Sequence, residues 1–163
     1  MNISKTSGPA NIGPGRLDQL DGVQFFGRGN TGDNLLFGWA APEENQNWND
    51  GTEVGYQLRV LPPPRTACII RIEGAPFINA QLRRQTITMY VNGLRLGWWS
   101  LSDPQRVWLE VRIEPEQWLI REDVAIGDIR WHIPQSISPH ELGISADERR
   151  LGFCFVSIVV SST

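Results

Sequence analysis

The 163-residue, 18.4 kDa chain is 40% hydrophobic and 20% charged, the proportions of a globular domain, and at this mass about two-thirds of the extended chain's surface can be buried in one core. Its formal net charge of −3, its pI near 5.4 and the scattering of its arginines among carboxylates exclude a protein that binds by neutralising phosphates, so nucleic acid is not an expected partner. No apolar run approaches the roughly 20 residues that cross a bilayer as a helix, and the N-terminus has no apolar leader segment, so the expectation is a cytoplasmic chain without membrane insertion.

Residues 1–22 combine Gly8, Pro9, Gly13, Pro14 and Gly15 with few large apolar side chains, and read as a flexible N-terminal tail before a folded domain spanning 23–163. From residue 23 onward the pattern has a period of two. Short strands are expected at 23–26 and 35–39. Over Glu53–Val60 the residues Val54, Tyr56, Leu58 and Val60 share one face, while Glu53, Gln57 and Arg59 share the other. Pro62, Pro63 and Pro64 close that strand. Cys68, Ile70 and Ile72 alternate with Ile69, Arg71 and Glu73, and Ile87, Met89 and Val91 alternate with Thr86, Thr88 and Tyr90. Asn92-Gly93 follows at once and tolerates the positive φ of a type I′ turn, which predicts a hairpin between 85–91 and 94–99. Val107–Ile113 and 128–133 repeat the alternation, with Ile129, Trp131 and Ile133 inward. Residues 138–150 could hold a short helix capped by Ser138 and begun by Pro139. The nearly continuous apolar run at 152–160 suits a central strand covered on both faces. The expectation is therefore all-β: an antiparallel β-sandwich, jelly-roll-like, with about eight or nine strands.

No catalytic constellation stands out. His132 and His140 have neither zinc spacing nor an i, i+4 relation. Glu114 and Glu116 flank Pro115 at a strand end, where two carboxylates need not face one cleft. There is no Gly-rich phosphate loop and no GxSxG motif. Asp103, Asp123, Asp128 and Asp147 lie too far apart to form a calcium loop by themselves. Neither catalysis nor a metal or other cofactor is expected. Cys68 and Cys154 lie in apolar β-like runs, the setting of buried thiols rather than of a disulfide framework.

The segment at 38–56, GWAAPEENQNWNDGTEVGY, interleaves aromatic and planar polar side chains. Sugars present flat C–H faces edged by hydroxyls, which aromatic rings can stack on while amides and carboxylates bond the rim. Trp39, Glu43, Asn47, Trp48, Asp50 and Tyr56 are accordingly the candidate ligand-binding residues. Against this, Trp39 ends a strand and fits a core position, Trp48 could cap one end of a sandwich, and the Asn and Asp residues are ordinary turn formers. Seven of the fifteen aromatic residues are Trp. Trp98 and Trp99 are adjacent in a strand and must face opposite ways. Trp108 falls on the polar face of its strand and Trp118 in a loop. With Trp131 inward, Trp48, Trp108 and Trp118 remain as surface candidates for a glycan platform, a protein interface or a covered surface.

Three groups of residues together resemble a known family. They are Gly38, Trp39, Pro42, Glu43, Trp48 and Gly51; then Val91, Asn92 and Gly93; then Ser138, Pro139, Leu142, Gly143, Ser145, Asp147, Arg149, Leu151 and Gly152. In this order, over about 35–160, they resemble an accessory, carbohydrate-binding-module-like β-sandwich domain found beside bacterial polysaccharide-synthesis glycosyltransferases. The resemblance implies a non-catalytic domain recognising a bacterial polysaccharide or glycan precursor. A glycosyltransferase module or self-association would supply any protein partner, and the alternative is a protein-interaction or assembly module associated with a glycosyltransferase or surface structure. The motif residues also have a scaffold reading, in which Asp147 pairs with Arg149 before the last strand and Gly152 permits close strand packing.

Overall fold

The structure, a computed structural model, describes residues 20–29 and 31–163. Eleven strands follow in chain order: β1 (Val23–Phe25), β2 (Leu35–Phe37), β3 (Asn47–Trp48), β4 (Glu53–Val60), β5 (Cys68–Pro76), β6 (Gln85–Val91), β7 (Leu94–Leu101), β8 (Val107–Ile113), β9 (Leu119–Arg121), β10 (Val124–His132) and β11 (Phe153–Ser162). Two 3-10 turns, Gly32–Asn34 and Pro115–Gln117, interrupt them. No helix among the described residues is long and apolar enough to cross a membrane.

The strands form two antiparallel sheets. One runs β1-β11-β5-β8 with β3 added to β11; the other runs β2-β4-β10-β6-β7 with β9 added to β10. The eight long-range partners are nested: β1 pairs β11, β4 pairs β10, β5 pairs β8 and β6 pairs β7. One long hairpin rolled over on itself produces that nesting, which is the jelly-roll topology. The chain therefore crosses between layers at every step except the β6–β7 and β9–β10 hairpins, and each sheet gives one face to a shared core.

Period-two patterning accounts for the core. In β5 burial alternates residue by residue, with Cys68, Ile70 and Ile72 inside. Val54, Tyr56, Leu58 and Val60 of β4 and Ile129 and Trp131 of β10 face them from the opposite sheet. In β11 the register shifts between Phe155 and Ser157, and this bulge lets Phe153 and Phe155 before it and Ile158 and Val160 after it all point inward. Asn92 and Gly93 take positive φ values of 50° and 82°, as the predicted type I′ hairpin requires.

Three local expectations are corrected. Residues 138–150 form no helix: a single turn closes from the Leu142 amide to the Ser138 carbonyl, with the Ser138 hydroxyl accepting from the Glu141 amide at 3.0 Å. Gly143 then takes φ +71° and turns the chain away. Strands β3 and β9 were not expected. Trp118 is not a surface residue; the 3-10 turn before it folds it inward to 4% exposure, with its ring 3.0 Å from where a Cβ on Gly127 would stand. Of the 1–22 tail, residues 1–19 lie outside the described residues, while the Asp21 amide donates to the Val160 carbonyl at 2.7 Å and Leu20 packs on the core.

Candidate functional site

The aromatic-polar segment folds as a short two-stranded arm that extends the five-stranded sheet alongside β11. Trp39 bridges Asn49, the Ala40 amide donates to the Trp48 carbonyl at 2.9 Å, and the Glu43 amide to the Gln46 carbonyl closes the tip. Trp48 and Asn47 pair with Cys154 and Phe155 of β11. The turn after β1 nests beneath the tip. Gly27 sits there at φ +74°, and a Cβ would stand 2.5 Å from the Gln46 nitrogen and 2.6 Å from the Glu43 oxygen, so only glycine fits.

Buried amides fasten this arm. Asn47 accepts the Gly27 amide on Oδ1. Asn49 is fully buried; its Oδ1 accepts from the amides of Gly152 and Phe153 at 2.9 and 2.8 Å, and its Nδ2 donates to Gly51 and Ser136. Across more than a hundred residues of sequence, that one side chain locks the arm to the start of β11. Gly152 is indispensable beside it, since a Cβ would meet Ser136 Oγ at 2.4 Å.

The six residues expected to touch a ligand separate into two groups. Tyr56 and Asn47 have no exposed surface and cannot meet a solute without rearrangement of the core. Trp39 is mostly covered: its indole N–H donates to the Gly55 carbonyl at 2.7 Å, and its ring lies 4.9 Å from Phe155 and 5.3 Å from Phe26. These three are scaffold: strand alternation turns Tyr56 inward, the Gly27 amide claims Asn47, and Phe26 and Phe155 cover Trp39. Glu43, Trp48 and Asp50 do reach the surface. Trp48 stands edge-on to Phe77 at 6.2 Å, and Asp50 accepts the Arg150 amide at 2.9 Å.

Glu43 belongs to an ion network. Arg149 grips Asp147 through Nε and Nη2 at 2.8–3.1 Å and reaches Glu43 at 3.4 Å, while Gln46 donates to the other Glu43 oxygen at 2.6 Å. The guanidinium holds the Asp147 carboxyl below the usual carboxylate range, through its side-chain hydrogen bonds first and its backbone amide next.

Beneath the arm's tip, on the outer face of the five-stranded sheet, lies a groove of about 400 Å³ lined by Phe25, Arg28, Glu44, Asn45, Arg106 and Val156. Phe25 and Phe26 are adjacent in sequence, so one must face outward; Phe26 enters the core at 1% exposure and Phe25 stays 54% exposed. Arg106 spends one donor on Glu73 at 3.3 Å and has others to offer. The groove thus joins an aromatic face to two guanidiniums, a carboxylate and an amide. Behind it, burial pushes the Cys154 thiol up to about 12, with the Glu43 carboxylate adding to the shift and Arg106 opposing it, so this thiol is not a nucleophile. Cys68 is likewise buried and unbridged.

Glu44 and Asn45 belong to the aromatic-polar segment legible in the sequence, whereas Phe25, Arg28 and Arg106 come from other strands and turns. The Phe25-Phe26 pair carried the same signal as Trp98-Trp99. The Glu114 and Glu116 pair makes no site: Glu114 accepts from Arg112 Nε at 2.6 Å and caps the 3-10 turn that follows. Among the described residues, no three His, Cys, Asp or Glu side chains gather as metal ligands.

No protein-family profile matches the chain, and no curated protein matches it. Among solved structures it is similar to a family 35 carbohydrate-binding module from an environmental isolate, at 15% identity over 88% of this chain and 90% of that one, with a TM-score of 0.41. It is also similar to Xyl-CBM35 in complex with a glucuronic acid containing disaccharide, at 15% identity over 91% and 84% of the two chains, with a TM-score of 0.39.

Proposed function

We propose that this chain is a non-catalytic carbohydrate-binding domain that recognises a bacterial polysaccharide or glycan precursor in the groove beneath the arm. The observation that carries this reading is the half-exposed Phe25 ring set among Arg28, Arg106, Glu44 and Asn45. A sugar ring stacks its C–H face on Phe25, and its hydroxyls meet planar donors and acceptors at the rim. Trp48, Glu43 and Asp50, which reach the surface along the arm, are proposed as further contacts for a longer ligand.

The way the nearby charges are used supports the non-catalytic reading. A general acid at neutral pH needs a raised carboxyl pKa. The Asp147 carboxyl moves the other way, held down by Arg149, and Glu43 is tied to Gln46 and Arg149. Open grooves of this kind bind at about 0.1–1 mM, or roughly −4 to −5.5 kcal/mol.

NMR titration with a panel of short bacterial oligosaccharides tests the site. Phe25→Ala is expected to weaken the bound sugar about fivefold, the loss of about 1 kcal/mol of stacking. Undiminished affinity in that variant would remove the groove from the proposal. A second reading, an assembly module beside a glycosyltransferase or surface structure, is favoured by Leu119 and Ile120, which stand 45% and 55% exposed on β9. Concentration-dependent sedimentation with no response to any sugar would select it.

A further inference from the structure

The two outward faces of the sandwich differ in kind. On the five-stranded sheet the exposed charges answer one another: Arg71 with Glu110 at 2.6 Å, Arg106 with Glu73 at 3.3 Å, and Arg112 with Glu114 at 2.6 Å. Phe25 and Trp108 also stand exposed there; the outer face of the six-stranded sheet combines exposed rings with several hydrogen-bonding groups that have no partner among the described residues.

Register defines two rows there. One runs Glu53, His132, Thr88, Trp98 across β4, β10, β6 and β7. The other runs Gly55, Arg130, Tyr90, Arg95. A bulge between Met89 and Tyr90 keeps Arg95 and Trp98 on the same face although they are three residues apart. Gly55 has no side chain, and Phe37 of β2 fills its place: a Cβ there would meet the Phe37 ring at 2.4 Å. Phe37 is 48% and Trp98 53% exposed. Between them the Arg130 guanidinium stacks 4.7 Å over the Tyr90 ring. Three strand spacings, about 14 Å, separate the outermost strands of the rows.

The hydrogen-bonding groups on these rows are little used. Among the described residues, the Thr88, His132 and Arg95 side chains make no hydrogen bond or ion pair, and Arg130 has only Glu53 at 3.9 Å. Two guanidiniums against one carboxylate leave the rows with one positive charge in excess, in a chain of net charge −3.

We infer that this face is a second binding surface, for an extended acidic polysaccharide. Successive sugar rings stack on Phe37, on the Arg130–Tyr90 pair and on Trp98, while Arg95 and Arg130 receive carboxylates and Thr88 and His132 receive hydroxyls. The inference rests on the carbohydrate reading of the domain but places a longer ligand on the opposite face from the groove.

Affinity electrophoresis of the full chain, in gels containing polygalacturonate or neutral dextran, separates the possibilities. Polygalacturonate is expected to retard the protein and dextran not. Trp98→Ala should weaken the retardation about five- to tenfold. Arg95→Gln should weaken it and flatten its salt dependence. Phe25→Ala should leave it standing. Retardation lost in Phe25→Ala, but unchanged in Trp98→Ala and Arg95→Gln, overturns this inference and leaves the groove intact. Equal retardation in dextran overturns the acidic ligand, and no retardation by polygalacturonate overturns the face. If short oligosaccharides also leave the groove silent, the carbohydrate reading falls with it.

Discussion

At the residue scale, the Asp147–Arg149 pair shows how a surface ion pair can brace a loop. The carboxylate accepts three contacts from one guanidinium and one from its backbone amide, and its pKa lies below the ordinary value. A carboxyl whose folded pKa is depressed adds stability above its unfolded pKa of about 4 and loses it as pH falls through the folded value. Asp147→Asn is therefore expected to lower Tm at neutral pH, and the gap from the parent should close in thermal scans as pH falls below the ordinary carboxylate range and through the depressed folded value. A gap that stays constant across that range would show that the pair does not brace the loop electrostatically. The pairing itself was legible, because Asp and Arg two apart before a strand can reach each other. The tryptophans were legible only where strand alternation governs them. Trp131 lies in the core, Trp98 is outside and Trp99 packs inward, and Trp108 is 50% exposed. Trp118 was not, because its direction is set by the 3-10 turn at Pro115–Gln117, which has no periodicity to read.

At the element scale, the hairpins differ in how openly their turns announce themselves. Asn92-Gly93 supplies residues suited to positive φ. The β9–β10 turn uses Glu122 and Asp123 at φ +48° and +63°, and a left-handed non-glycine residue costs roughly 1–2 kcal/mol. No turn signal marked that pair, so β9 was invisible, as was β3, which has only two residues. Replacing the pair through Glu122→Asn and Asp123→Gly is expected to raise stability by about 1 kcal/mol in urea unfolding. A neutral or negative result would mean that the two native side chains hold the turn in some other way. The long strands with clean alternation, β4, β6 and β8, have the boundaries that their sequences indicate.

At the scale of the whole molecule, nested pairing brings together residues that no local pattern connects. Phe25 ends β1 and Arg28 follows it, Glu44 and Asn45 cap the arm, Arg106 precedes β8 and Val156 is the bulged residue of β11, yet all six border one groove. A sequence read element by element finds the sandwich and the aromatic segment, but it cannot see which turns meet over a sheet. It also assigns Tyr56 and Asn47 to a ligand that the core and the arm's own fastening exclude. The fold leaves two distinct surfaces, a groove with one ring among charged partners and a broad face crossed by three rings. The seven tryptophans serve the core more than they serve binding. The most direct measurement is an isotope-filtered NMR experiment on the protein with a saturating bacterial oligosaccharide, recording contacts between sugar protons and protein rings. Contacts from the sugar C–H face to the Phe25 ring, with amide shifts at Arg28, Asn45 and Arg106, are the predicted result. A bound sugar with no contact to Phe25, or no sugar bound at all, would contradict the assignment of the groove.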